Sequence, residues 1–427
     1  KQLFQLSVMS NENKVTFGRH LRSDFFLEDK YIPLNHGSFG VYPRSIHKVL
    51  REYQDKTEEH PDRWNRIEVN PLLRKNRELI AELINCPDAS DVAFVQNAST
   101  GVATILRSFP FEKGDKVICF ESTYVNVNAT LKYLQDIGQV ELISLSLKYP
   151  LSDGEVLDIL RATIQEHNKE GKIRLAVLDA IIAQPGTVFP YEAASRLVQE
   201  NGILSLIDAA HSIGQIPIDI SSFDPDFFVS NLHKWFFIPR GSCILYAPKR
   251  NQRYLHPLTI NYKYSFEGTE FEQEFWNFGA HDHSPFLCVA ADQLFPILFP
   301  TLIFNPIEYR KSLGGEEAIR DYIHNLAVEG GNVVAKHLGT QVMENQDKTL
   351  IGAMVNVEIP LYPKTLTDAQ VSSQFIHKII YEQNCMVPAF KHNNKWWVRL
   401  SAQIYNDLKD FENGAKAIEK VCQELSI

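Results

Sequence analysis

Ile203 to Ala247 reads ILSLIDAAHSIGQIPIDISSFDPDFFVSNLHKWFFIPRGSCILYA and contains three apolar runs. The first, ILSLI, ends in Asp208, with His211 close behind. The second, FFVSNL, ends in His233 and Lys234. The third, CILYA, follows the turn Pro239-Arg240-Gly241 and reads as purely structural. Short apolar runs bounded by turn signals are the pattern of buried strands in an α/β sheet. Open sheets of that kind bind their ligands outside the carboxyl ends of the strands. The stretch therefore predicts that Asp208 and Lys234 lie at one sheet edge, an acid and a lysine close in space.

The residues before it alternate between strand and helix patterns. Val92 to Val95 reads as a strand that ends in Asn97-Ala-Ser-Thr-Gly101 and opens a helix. Strands are then predicted over 116–121, 140–147 and 173–179, with helices over 126–137, 154–168 and 191–201. This rhythm implies a mostly parallel, doubly wound sheet with right-handed crossovers. Earlier, Tyr31 to Gly40 reads as a short strand breaking into a glycine-punctuated loop, and helical spacing marks 45–59 and 72–84. After Pro248 an aromatic, charged segment runs to His283, with Tyr254, Tyr262, Tyr264, Phe266, Phe271, Phe275, Trp276 and Phe278. It suits a substrate-facing loop or a subunit interface. Helices over 285–298 and 316–337 lead to an α+β tail, with strands at 350–359 and 395–401 and helices at 367–384 and 407–425. The expected organisation is an N-terminal arm (1–30), a large domain (31–299) and a small C-terminal domain (300–427).

Composition narrows the partners. A formal charge of −9 argues against nucleic acid or an anionic membrane as the main partner. No apolar run approaches the roughly 20 residues that span a bilayer. The opening KQLFQLSVMSNENK lacks the apolar centre and cleavage site of a signal peptide. The six cysteines are scattered with no CxxC pair, which fits a reducing cytoplasm and gives no zinc site. Neither GxGxxG nor GxxxxGK[ST] occurs, so dinucleotide and P-loop phosphate binding are unsupported.

The polar residues of the central stretch have ordinary readings: Lys234 as a surface charge, Asp208 as a helix cap, His211 and His233 as core histidines. The apolar Trp-Phe-Phe-Ile-Pro after Lys234 points the other way, because a desolvated lysine loses its charge easily and becomes a nucleophile. Pyridoxal 5'-phosphate accounts for these residues together, since it needs a lysine for its aldehyde and an acid for its pyridinium nitrogen. Its phosphate needs an anion site, and the free N–H groups of a helix opening at Asn97 to Gly101, with the Ser99 and Thr100 hydroxyls, supply one. The alternative is that these residues only cap the helix.

These motifs resemble the class V branch of the fold-type-I pyridoxal-phosphate enzymes, and most closely the isopenicillin N epimerase-like group, which includes cysteine desulfhydrases and the C–S lyases of ergothioneine synthesis. The markers are Leu34-Asn-His-Gly-Ser38, Asn97-Ala-Ser-Thr-Gly101, Asp208-Ala-Ala-His211, His233-Lys-Trp235 with Pro239-Arg-Gly241, and Val398-Arg-Leu-Ser401 with Tyr405-Asn406. The resemblance covers nearly the whole chain after about residue 30 and implies a homodimer with the active site shared across its interface. It implies that Lys234 holds the cofactor as a Schiff base, that Asp208 meets the pyridinium nitrogen, and that His211 lies near the phenolic oxygen and the lysine. It places Ser99, Thr100, Asn231 and His233 at the phosphate and Tyr124 over the ring face. Arg399 falls where the substrate's α-carboxylate is taken, with Asn35 and His36 lining the substrate side. Relatives often carry Gly-Thr-x-Asp where this chain has Gly279-Ala-His-Asp282. Ala280 cannot donate to the neighbouring subunit's phosphate, so either that site is weaker or another group such as His281 substitutes.

In this fold the freed Lys234 amine can remove the α-proton. The expected reaction is β-elimination from cysteine or a cysteine S-conjugate or sulfoxide, with Tyr124 as the acid for the departing sulfur. The aromatic segment and Arg63-Trp64 are candidates to hold a large substituent. The alternatives are an epimerase or racemase, with Tyr124 or His36 on the opposite face, and an aminotransferase. A persulfide-forming desulfurase would need a cysteine on a mobile loop, for which Cys385 is a poor candidate.

Overall fold

The computed structural model describes residues 16–169, 172–264, 271–276, 279–290 and 305–426. Seven apolar segments form one sheet: β1 (Val92–Val95), β2 (Lys116–Phe120), β3 (Glu141–Leu145), β4 (Ile173–Asp179), β5 (Leu204–Asp208), β6 (Phe227–Asn231) and β7 (Cys243–Tyr246). Their order is β1-β7-β6-β5-β4-β2-β3. The pairs from β6 through β3 are parallel, joined by helices. β7 runs antiparallel to both β6 and β1. The connection out of β6 is a one-turn helix (Leu232–Trp235) and a turn, which is short for a parallel crossover, so the chain doubles back.

Alternate residues of the buried strands feed two cores. Ala176, Leu178 and Phe228 belong to one face, while Leu175, Val177, Phe227 and Val229 belong to the other. With helices covering both faces, β6 is buried at every position and reads as a continuous apolar run. The connecting helices start where sequence chemistry stops the backbone. Ser152 and Glu155 form a capping box for Asp153–His167, and Asn97 Oδ1 accepts the Thr100 N–H at the head of Ala98–Ser108.

A second, antiparallel sheet, β8 (Met354–Glu358), β9 (Ala389–His392) and β10 (Lys395–Ser401), has the order β8-β10-β9. It has its own core with the helices Gly315–Leu338, Asp368–Tyr381 and Leu408–Leu425, centred on Val357, Phe375, Val398 and Phe411. β9 and the helix Pro306–Ser312 were not legible as elements. The helix expected over 285–298 is instead one turn, Ser284–Leu287, which ends at Cys288 and is followed by a turn; the expected boundary at 299/300, Phe266 and Phe278 lie outside the described residues. The described part of the N-terminal arm is tied to the small sheet's last helix, with Arg19 and Arg22 at 2.8 and 2.6 Å from buried Asp410.

The segment from Tyr31 departs from the sequence expectation. It forms a single bridge, Ile32 with Cys385, and then a helical turn over His36–Phe39. The turn ends at Gly40 with φ 65°, and a Cβ there would fall 1.9 Å from the His233 carbonyl oxygen. The segment can therefore press against the lysine loop only with glycine at this position. Gly40→Ala is expected to lower stability by more than about 1 kcal/mol, as measured by thermal or urea unfolding. Gly138→Ala, also at positive φ but with open space around it, should cost less.

Candidate active site

β5 and β6 are adjacent and parallel, with Asp208 opposite Val229, so their carboxyl ends deliver Asp208 and the Leu232–Trp235 turn to one edge. Lys234 keeps some accessible surface toward the cleft, and its Nζ lies 3.1 Å from Nε2 of buried His211. Enclosure by protein draws the amine's pKa down to about 8. Asp208 pulls it up and Arg399 pushes it further down. Burial likewise holds His211 far below the usual imidazole range, helped by the positive charges of Lys234 and Arg399.

Asp208 has a companion that sequence reading missed. Asp179 ends β4 directly opposite Asp208 in the parallel register, and Asp179 Oδ2 is buried without a hydrogen-bond partner. Burial raises both carboxyls, and the charge of Asp208 raises Asp179 further. Asp208 also accepts the Ala210 N–H at 3.0 Å and feels Lys234. Of the two, Asp208 is the better held as a carboxylate, and Asp179 is pushed further toward its protonated form. The signal was present: Val177-Leu-Asp-Ala180 and Leu206-Ile-Asp-Ala209 end their strands in the same way.

The loop after β1 caps the helix that follows it. Asn97 caps the helix, and Asn231 Oδ1 accepts the Ala98 N–H at 2.9 Å, tying the helix head to β6. The Ser99 N–H has no intrahelical acceptor by its position, and the Ser99 and Thr100 hydroxyls are partly accessible beside it. Gly101 lets the helix approach β6, since a Cβ there would meet Val229 at 2.6 Å. His233 turns Nδ1 to the Ser242 carbonyl at 3.0 Å, and burial draws its pKa down to about 4. Tyr124 stands at the start of the Val125–Asp136 helix and remains 39% exposed, accessible to a ligand.

Arg399 reaches this edge from β10 of the small sheet. Nη1 donates to the Ala183 carbonyl at 2.6 Å, and Nη2 donates to Asn35 Oδ1 at 3.0 Å and Ser38 Oγ at 2.9 Å. Nε is buried without a partner. Burial lowers its pKa to about 10, so it stays charged at neutral pH. Among the described residues no carboxylate lies within ion-pair distance of it. Asn35 thus holds the guanidinium, as does Ser38, which sequence reading did not single out. His36 sits deeper, with Nδ1 2.8 Å from the Tyr405 hydroxyl and its ring 5.1 Å from that of Trp235; burial holds its pKa down to about 3.

Other expected groups lie elsewhere. Trp64 is a core residue against Tyr53, and Arg63 pairs with Glu68. Buried Cys385 has its thiol pushed up to about 12 by burial, the opposite of a reactive thiolate. Ala280 and His281 line a cavity of about 1150 Å³ with Arg66, Arg74 and Tyr262. That cavity shares no lining residue with the Lys234 edge, where the reactive groups converge.

Residues 47–284 match the family model "Aminotransferase class-V". The chain belongs to that family. It is 27% identical to an L-cysteine desulfhydrase-like protein of Epichloe uncinata, covering 97% of this chain and 98% of the relative. It is also 27% identical to the hercynylcysteine sulfoxide lyase of Schizosaccharomyces pombe, covering 96% and 99%. A C-DES mutant with glycine covalently linked to its PLP cofactor superposes with a TM-score of 0.74 over 93% of this chain and 98% of that one, at 15% identity. The class V match agrees with the mixed sheet, mostly parallel with helices on both faces.

Asp179 binds a proton in the folded chain that an unfolded chain releases in the ordinary carboxylate range. Its contribution is complete at pH values below that range and is lost as pH rises toward the folded value. Asp179→Asn should therefore flatten the fall in stability across the window between the ordinary carboxylate range and the higher value in the folded chain. The variant should be more stable than wild type at the upper end, by on the order of 1 kcal/mol, in unfolding midpoints followed across pH.

Proposed function

We propose that the protein is a pyridoxal-phosphate-dependent carbon–sulfur β-lyase acting on cysteine or on a cysteine S-conjugate or sulfoxide, with pyruvate, ammonia and a sulfur product as outputs. The observation that carries the reading is Arg399, a buried guanidinium with no carboxylate beside it among the described residues, on the same edge as a readily deprotonated lysine. Such a charge calls for an anion, and its planar fork suits an α-carboxylate. The relatives named desulfhydrase and sulfoxide lyase match along nearly the whole chain, which supports sulfur as the leaving atom.

The donor set fits the cofactor. Lys234 stands ready for its aldehyde, Asp208 for the ring nitrogen and His211 for the phenolic oxygen, with Tyr124 for the ring face. Ser99, Thr100, Asn231 and His233 would hold the phosphate, to which the Ser99 N–H would donate. When bound, pyridoxal phosphate supplies an electron sink for bonds at the substrate's α-carbon. Asp208 favours the protonated ring nitrogen by its charge. Arg399, steadied by Asn35 and Ser38, orients the carboxylate. The Lys234 amine takes the α-proton as general base, and Tyr124 delivers a proton to the sulfur as its bond to the β-carbon breaks.

The active unit in this reading is a homodimer with the site shared across its interface. Exposed Ile260 and Tyr262, the latter lining the same cavity as Ala280, support a subunit contact there. The six unpaired cysteines support a cytoplasmic setting.

Incubation with L-cysteine, S-alkylcysteines and their sulfoxides should release pyruvate and ammonia in equal amounts with the sulfur product. Exchange of the α-proton in deuterated water without elimination would favour an epimerase and sink the lyase reading. Borohydride reduction followed by peptide mapping should find the cofactor on Lys234. Arg399→Ala should raise KM for amino acids by about 30-fold or more; unchanged affinity would remove the carboxylate assignment.

A further inference from the structure

His211 faces Lys234 on one side and Trp235 on the other. The Trp235 indole Nε1 donates to His211 Nδ1 at 3.3 Å, while His211 Nε2 faces Lys234 Nζ at 3.1 Å. His211 is 3% exposed and Trp235 is fully buried, so no water need be invoked for either ring nitrogen. An indole nitrogen is a donor only, so Nδ1 must present its lone pair to Trp235. A neutral imidazole carries one proton, and here that proton is on Nε2. The N–H on Nε2 then points at Lys234. An ammonium group has three donors and no acceptor, so it would meet that N–H with another N–H. A free amine offers a lone pair and completes the hydrogen bond.

We infer that Trp235 is a positioning residue: its indole N–H selects the His211 tautomer that donates to Lys234, and so favours the free amine of the lysine over the ammonium. In the opposite tautomer a bare Nε2 would accept from the ammonium and keep it charged. The choice between nucleophile and inert cation thus passes through a side chain that never touches the amine's chemistry.

The other groups around this chain of contacts leave the tautomer room to decide. Asp208, from β5, favours the ammonium, and Arg399, from β10, opposes it. The Cys243 thiol on β7 is held protonated by burial, and His233 beside the lysine is held neutral in the same way. His36 packs against the indole and is neutral by burial. Arg310 donates to the Trp235 carbonyl at 2.9 Å and to the Gly214 carbonyl at 3.2 Å, and it pairs with Glu316. It therefore anchors the backbone that carries the indole. A Cβ on Gly214 would lie 2.5 Å from the Trp235 carbonyl oxygen, so this anchorage is tight.

The inference rests on Lys234 being the reacting amine, but not on which bond the enzyme breaks. It is tested on the cofactor-free full-length chain by reductive alkylation with formaldehyde and cyanoborohydride across pH, with Lys234 followed by peptide mass. The wild-type midpoint should lie near 8. Trp235→Phe should move it upward by about one pH unit, and the same substitution in a His211→Gln background should produce no further shift. An unmoved midpoint in Trp235→Phe, or an equal shift in both backgrounds, overturns the inference. A readout that needs no stable Trp235 variant is the histidine ¹⁵N spectrum of the wild-type chain, with His211 assigned by its loss in His211→Gln. Nδ1 should show the unprotonated signature and Nε2 the protonated one; the reverse overturns it. If borohydride were to fix the cofactor on another lysine, the functional reading would fall while these two measurements still judged Trp235.

Discussion

Withdrawing ionisable groups from water at the carboxyl edge of the large sheet is the constraint to which the rest of the site answers. A buried charge must be neutralised, paired or held by dipoles. All three solutions appear here. Lys234 tends toward the neutral amine, with Asp208 near enough to limit that tendency. Asp179 is pushed toward its protonated form by burial and, beyond that, by the charge of Asp208 opposite it. Arg399 cannot give up its charge and is held by a carbonyl, an amide oxygen and a hydroxyl alone. What the protein leaves unpaired at Arg399, an amino-acid carboxylate can complete.

The same constraint explains how the two sheets are joined. The lysine and the acid come from β5 and β6, whereas the guanidinium comes from β10. Geometry between them depends on the segment that crosses from one to the other. Asn35 and Ser38 hold Arg399, and two residues later Gly40 lies against the His233 carbonyl. Gly186 packs from a further direction, where a Cβ would meet the Arg399 side chain at 2.6 Å. Arg310 fastens the lysine loop from the opposite side. Substrate clamp and reactive amine therefore come from different sheets but are braced by one segment, 35–40, which bonds Arg399 and packs against the lysine loop.

The strands of the large sheet were legible because their runs are apolar and end in turn residues; β4 and β10 have the bounds read from the sequence. The segment 31–40 was not, because its helical turn is stabilised by contacts to His233, Tyr405 and Arg399 rather than by local propensity. β9 escaped for a related reason: Ala389–His392 is short and is made a strand by its pairing with β10. Asp208, Lys234 and Arg399 stood out through their neighbours in sequence and through family resemblance. Ser38, Asp179 and Trp235 did not, since each matters through a partner far along the chain or on another strand.

The sequence by itself determined the α/β rhythm, the strand ends that carry the acid and the lysine, and the motifs that assign the chain to its family. These follow from local periodicity and residue chemistry, which are written along the chain. Only the tertiary structure decided that β7 turns back, that two aspartates face each other across paired strands, and that a tryptophan N–H sets the histidine between it and the lysine. Hydrogen-bond direction and mutual burial are relations between distant residues, and no one-dimensional pattern contains them.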